Sequence, residues 1–174
     1  MQIADALYHE LLQNLATSDG TERKRWAMQI AESDVDMTTL APLLFADKKT
    51  AYRFSWLLSD IGEADAGKLF DVLSYAFEQR NKTEIPGFEQ QFAKYWRIGG
   101  VPEEDKGMAI DMMFGWLVDT KVGVHIKSVS LEVLYDLTKE YPELKNELKL
   151  CLEDQLDKNT DSFKKKAKGI LKKL

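Results

Sequence analysis

Apolar residues recur every three or four positions along almost the whole of this chain, and no run alternates β-branched with polar residues as a strand would. A period of 3.6 gathers such residues on one face of an α-helix, whereas a half-buried strand needs a period of two. The pattern restricts the chain to an all-α fold. Ile3, Leu7, Leu11 and Leu15 form a first stripe, closed by the cap and turn residues TSDG. Trp26 and Ile30 anchor a second helix, and Leu40, Leu43 and Leu44 a short third one broken or started by Pro42. Phe54, Leu57, Leu58 and Ile61 share one side of KKTAYRFSWLLSDIG, and Leu69, Leu73, Ala76 and Phe77 mark the next helix, ending near RNKTEIPG. Phe88, Phe92, Tyr95 and Trp96 then keep the i, i+4, i+7, i+8 spacing of a buried face.

Pro102 and Pro142 each precede acids, in VPEED and YPELKNE. Proline costs nothing at a first helical position, and acids in the first turn meet the positive end of the helix dipole, so both are read as helix starts. Met108, Met112, Trp116 and Leu117 face one way; Ile126, Val129, Val133, Leu134 and Leu137 make a further stripe, and Leu144, Leu148, Cys151, Leu152 and Leu156 another. Short connections join about ten helices, and no linker long enough to separate a pair of domains interrupts them, so residues 1–174 are expected to form one domain.

The chain has 174 residues, 44% apolar and 30% charged, which suits a soluble globular protein. No stretch approaches the roughly 18 uncharged residues of a membrane helix, no basic start leads into an apolar run, and the single cysteine can form no internal disulfide, so a cytoplasmic protein without membrane partners is expected. The charge of −5 is unevenly placed: the last fourteen residues carry six lysines and one aspartate, net +5, leaving −10 on the first 160. Duplex binding draws its affinity from lysine and arginine on phosphates, and an acidic body argues against that role.

A weak internal register accompanies the helices. LSDI (58–61), YWRI (95–98), LYDL (134–137) and LKKL (171–174) each hold an apolar residue, two others and an apolar residue, at spacings of 37, 39 and 37; AMQI (27–30) is a possible earlier copy. The unit is a helix pair of about 38 residues, which cannot bury its stripe alone and needs stacked neighbours. In period and pairing the chain resembles HEAT and armadillo-type repeats. The stretch VHIKSVSLEVLYDLTKEYPELKNELKLCLEDQL with SFKKKAKGILKKL resembles more specifically a group of short bacterial HEAT-like proteins of unassigned role. The resemblance implies a right-handed α-α superhelix whose inner helices line a concave groove, and binding of another protein through that groove or a face is the leading expectation. Some members of that group are labelled adenylosuccinate lyase, but the serine- and glycine-rich signature loop of that enzyme has no counterpart here.

No catalytic constellation emerges. His9 and His125 stand 116 residues apart without HExxH or CxxC, so no metal site and no cofactor is expected. Both histidines lie off their helix stripes and read as solvated, whereas Cys151 falls on one and reads as a small hydrophobe. Neither AGKLF nor IGGVPEED is a phosphate loop, and Gly99 and Gly100 read as a helix terminator. Glu103, Glu104 and Asp105 read as dipole-complementing acids rather than an acid/base pair.

The aromatic residues carry the functional expectation. Tyr52, Phe54 and Trp56, then Phe88, Phe92, Tyr95 and Trp96, crowd two central helices. Most of these rings suit a core. Trp56 and Arg97 are displaced from their stripes, and an exposed tryptophan with an arginine is a common hot-spot composition. Tyr52, Trp56, Tyr95, Trp96 and Arg97 are therefore the candidate partner-binding set, on a non-enzymatic interaction module with an unidentified protein partner. The alternative is a nucleic-acid-binding or DNA-glycosylase-like solenoid that stacks bases on the same rings.

The lysine-rich end, DSFKKKAKGILKKL, keeps Phe163, Ala167, Ile170, Leu171 and Leu174 on one face with every lysine off it. Residues 161–174 therefore read as a capping helix started by Thr160, Asp161 or Ser162, its lysines forming the polar outer surface of a terminal repeat.

Overall fold

The computed structural model describes residues 2–174, and among them it contains ten α-helices and no strand. The chain divides into two compact units, Met1–Pro102 and Glu103–Leu174.

The first unit holds α1 (Gln2–Asn14), α2 (Gly20–Ala31), α3 (Met37–Leu40), α4 (Lys48–Ala64), α5 (Ala66–Glu78) and α6 (Phe88–Gly99). Local chemistry sets the boundaries. Asp19 opens α2 with a reciprocal capping box to Glu22, and Asp36, Asp47 and Asp65 cap α3, α4 and α5 with their carboxylates. Gly87 at φ +67° starts α6 and Gly100 at φ +90° ends it, a backbone region that glycine reaches without steric cost. Pro42 lies in a 3-10 continuation of α3, Ala41–Phe45.

α4 is the hub, packing against α2, α5, α6 and the 3-10 segment before it. Its Phe54, Leu57, Leu58 and Ile61 are at most 1% exposed. α2 packs on α4 and α4 on α6, while α1 packs on α3 and α3 on α5. Gly62 on α4 makes room for side chains of α5 and α6: a Cβ there would sit 2.4 Å from Leu69 Cδ2 and 3.0 Å from Ile98 Cγ2.

The second unit holds α7 (Lys106–Val118), α8 (Val124–Leu137), α9 (Leu144–Gln155) and α10 (Asp161–Leu171). α8 packs on α7, α9 and α10, and α7 also packs on α9. α10 is a folded helix: Thr160 Oγ1 accepts from the Phe163 amide, and Phe163, Ala167 and Ile170 are buried. Its lysines lie off that face, where Lys164 pairs with Asp157 at 2.5 Å, Lys166 pairs with Glu132, and Lys173 lies over the Tyr135 ring.

Four expectations are corrected. Ile3 is 74% exposed, so the first stripe begins at Leu7. In α7 the inward face is Ala109, Met113, Trp116 and Leu117, and Met108 points to solvent; KGMAIDMMFGWLV is apolar nearly all round, so its period could not choose a face. Pro102 is followed by a 3-10 turn, Glu103–Asp105, before α7, and Pro142 lies in a turn two residues ahead of α9. Cys151 is half-buried rather than enclosed, and burial still pushes its thiol pKa up.

Candidate functional site

Residues at i and i+4 are neighbours on a helix surface. On α4 that rule brings Tyr52, Trp56 and Asp60 into one outward row. Tyr52 and Trp56 are each 38% exposed and meet edge to face, with centroids 5.4 Å apart at 84°. α2 lies alongside and supplies Arg23, whose Nε donates to Asp60 Oδ2 at 3.3 Å while its guanidinium carbon sits 5.2 Å from the Trp56 ring centroid. Arg53, one residue beyond Tyr52, places its own guanidinium 5.0 Å from the same ring.

The Trp56 indole thus stands beside two guanidinium groups and one aromatic edge, and it remains partly open to solvent. Arg23 is held by Asp60 and is mostly covered. Arg53 makes no ion pair and the Trp56 N–H no hydrogen bond among the described residues. The arrangement offers a flat apolar ring, a cation free to take an anion, and an N–H donor. A partner carrying a carboxylate next to an apolar side chain satisfies all three.

The support beneath this row comes from α6. Tyr95 is fully buried, and its hydroxyl donates to the Ser55 carbonyl of α4 at 2.6 Å; burial holds its phenol in the protonated form well above the ordinary tyrosine range. Phe92 lies 5.4 Å from Tyr95 and 5.5 Å from Trp96, and Phe77 lies 5.3 Å from Trp96, in tilted and edge-on contacts. Trp96 is 2% exposed.

Of the five candidate residues, the structure brings Tyr52 and Trp56 together on an accessible surface. Tyr95 and Trp96 are interior and closed to a docking protein; their spacing is that of a buried face, and they serve as core beneath α4. Arg97 is exposed in the last turn of α6, where its charge complements the helix dipole. Sequence reasoning passed over Arg23, Arg53 and Asp60. Asp60 and Arg53 were accessible from spacing alone, at i+4 and i−3 to Trp56, whereas Arg23 joins only through the pairing of α2 with α4.

Elsewhere, His9 and His125 are solvent-exposed as expected. Among the described residues, no group of three or more His, Cys, Asp and Glu side chains is placed to hold a metal ion, and no helix is long and apolar enough to cross a membrane. Comparison with family models, curated proteins and solved structures finds no match to this chain.

Proposed function

We propose that this chain is a non-enzymatic, HEAT-like helical-repeat module that docks another protein on the α2–α4 face centred on Trp56. The observation that carries the reading is the Trp56 ring, exposed and flanked by Arg23 and Arg53 on a buried support. Tryptophan and arginine dominate interface hot spots because each combines a large contact area with a directional polar group. Two regularities support the repeat reading. The apolar quartets spaced by 37, 39 and 37 residues fall in or at the closing turns of α4, α6, α8 and α10, and AMQI falls in that of α2. In the first unit α1, α2, α3 and α4 each pack on the next helix but one, and in the second unit helices pack both on the next helix and on the next but one, a pattern compatible with stacked pairs.

The partner we infer is a peptide segment in which an acidic residue adjoins an aromatic or aliphatic one. α2 and α4 carry six cationic side chains against Glu22, Asp60 and Glu63, net +3 in a chain of net −5, so the surface that sets Arg23 and Arg53 beside Trp56 is a local exception that an acidic segment complements. Selection of a random peptide library on the immobilised full chain tests this. Enriched peptides should share an acidic–apolar pattern and fail to bind the Trp56→Ala chain. Enrichment that survives Trp56→Ala, or no enrichment, overturns the assignment. Salt-sensitive binding of single-stranded nucleic acid that needs Trp56 would instead favour base stacking on the same ring.

A further inference from the structure

The second unit contains a cavity of about 640 Å³ that the docking face does not involve. It is walled by the α7–α8 connection, through Val118, Thr120 and Val122, by the start of α8, and by the α9–α10 connection, through Lys158, Asn159 and Thr160. Two helix beginnings therefore meet at one cavity: Val124, the first residue of α8, and Thr160, the N-cap of α10, both line it. The first amides of a helix lack intrahelical acceptors and carry the positive end of its dipole. In α8 the deficit is complete, because the N-cap is Gly123 and no side chain caps the helix.

Helix beginnings alone make no site, but one side chain here points to a ligand. Lys127, in the first turn of α8, lines the cavity and is only 4% exposed. Among the described residues it makes no hydrogen bond and no ion pair, yet its ammonium nitrogen is not sealed in the core. Lysines this covered are ordinarily paired in folded proteins. The nearby acids are engaged elsewhere. Asp119 accepts from the Lys121 amide at 2.8 Å, and Asp154 accepts from Lys158 at 2.7 Å and from Gln155 at 2.8 Å. Gln155, itself 3% exposed, holds Asn159 through its Oε1 and carbonyl oxygens, which fixes that wall.

We propose that this cavity binds a small phosphomonoester, its phosphoryl group on the Lys127 ammonium and the uncapped amides at the start of α8, its carbon skeleton against Val118, Val122 and Val124. A phosphoryl group matches an unpaired lysine in the first turn of an uncapped helix, since helix N-termini and ammonium groups both hold anions. The volume exceeds what the anion alone needs and falls within the range of small-molecule pockets, roughly 300–1,000 Å³. The three valines give the surplus an apolar wall.

Titration of the full chain with glycerol 3-phosphate and with inorganic phosphate, at ionic strength held constant with chloride, tests the assignment by amide chemical shifts. Saturable shifts are expected at Val124, His125 and Ile126, with the ester binding more tightly than phosphate. Lys127→Met should lose at least tenfold in affinity. Because that substitution deletes no hydrogen bond and no ion pair and keeps an unbranched side chain, the free variant should melt no lower than the wild type. No saturable shift at the α8 amides of the wild-type chain overturns the site without recourse to a variant. Equal affinity in Lys127→Met overturns the role of the lysine, and an ester no tighter than phosphate overturns the apolar wall.

Discussion

The Tyr95 hydroxyl donates a 2.6 Å hydrogen bond to the Ser55 carbonyl, one residue ahead of Trp56. A fully buried ring on α6 thus reaches the backbone of α4 at the level where α4 displays its exposed tryptophan. Tyr95→Phe keeps the packing and deletes this bond. It should cost about 1 kcal/mol in urea unfolding, the usual net worth of a buried hydrogen bond. Tyr52→Phe, on the exposed row, should leave stability unchanged.

Gly62 of α4 is covered by Leu69 of α5 and Ile98 of α6. Gly62→Ala forces a methyl group to within 2.4 Å of Leu69 Cδ2, and the resulting overpacking should cost roughly 1–3 kcal/mol. Gly169 in α10 has open space around its Cβ position, so Gly169→Ala should gain roughly 0.5–1 kcal/mol by helix propensity alone. Melting curves of the two variants should therefore move in opposite directions.

Asp47 links α4 to pH. Its carboxylate accepts from the Thr50 hydroxyl at 2.5 Å and from the Thr50 and Lys49 amides, and these bonds, the hydroxyl first, hold its pKa below the ordinary aspartate value. The ionised form is favoured in the folded state. Its contribution is present above the unfolded pKa, about 3.9, and is lost as pH falls through the lower folded value. Asp47→Ala should cost about 1 kcal/mol at neutral pH, and the gap to wild type should narrow in acid melts.

In α10 the apolar face should outweigh the lysines. Phe163 is fully buried, and Phe163→Ala should cost roughly 3–5 kcal/mol, whereas Lys164→Ala, which removes a largely solvated ion pair, should leave the melting temperature nearly unchanged. Deleting residues 161–174 should lower the melting temperature; an unchanged value would make the segment a tail.

Helix content was legible because period and caps agree at most segments: the stripe of Phe54, Leu57, Leu58 and Ile61 is buried as spaced, and Thr160 caps α10. The face of α7 was not legible, since an almost wholly apolar helix carries no phase. The site was only half legible. Trp56 announced itself by leaving its stripe, but Tyr95 and Trp96 kept theirs, and that regularity was the reason to place them in the core. Arg23 lies 33 residues before Trp56, and only the packing of α2 on α4 brings its charge to the ring. Lys127 was hidden for a similar reason, because one wall of its cavity comes from the α9–α10 connection, more than 30 residues further along the chain.

The four tryptophans provide a direct reporter of the docking face, since Trp26, Trp96 and Trp116 are buried and Trp56 is 38% exposed. The central measurement is the affinity of a selected acidic–apolar peptide for the wild-type and Trp56→Ala chains, with acrylamide quenching of the wild-type fluorescence followed during titration. A docking face centred on Trp56 predicts that the peptide shields the quenchable tryptophan and that Trp56→Ala weakens binding by at least about tenfold while leaving the melting temperature within a few degrees. Equal affinity in the variant, or undiminished quenching at saturation, would contradict it.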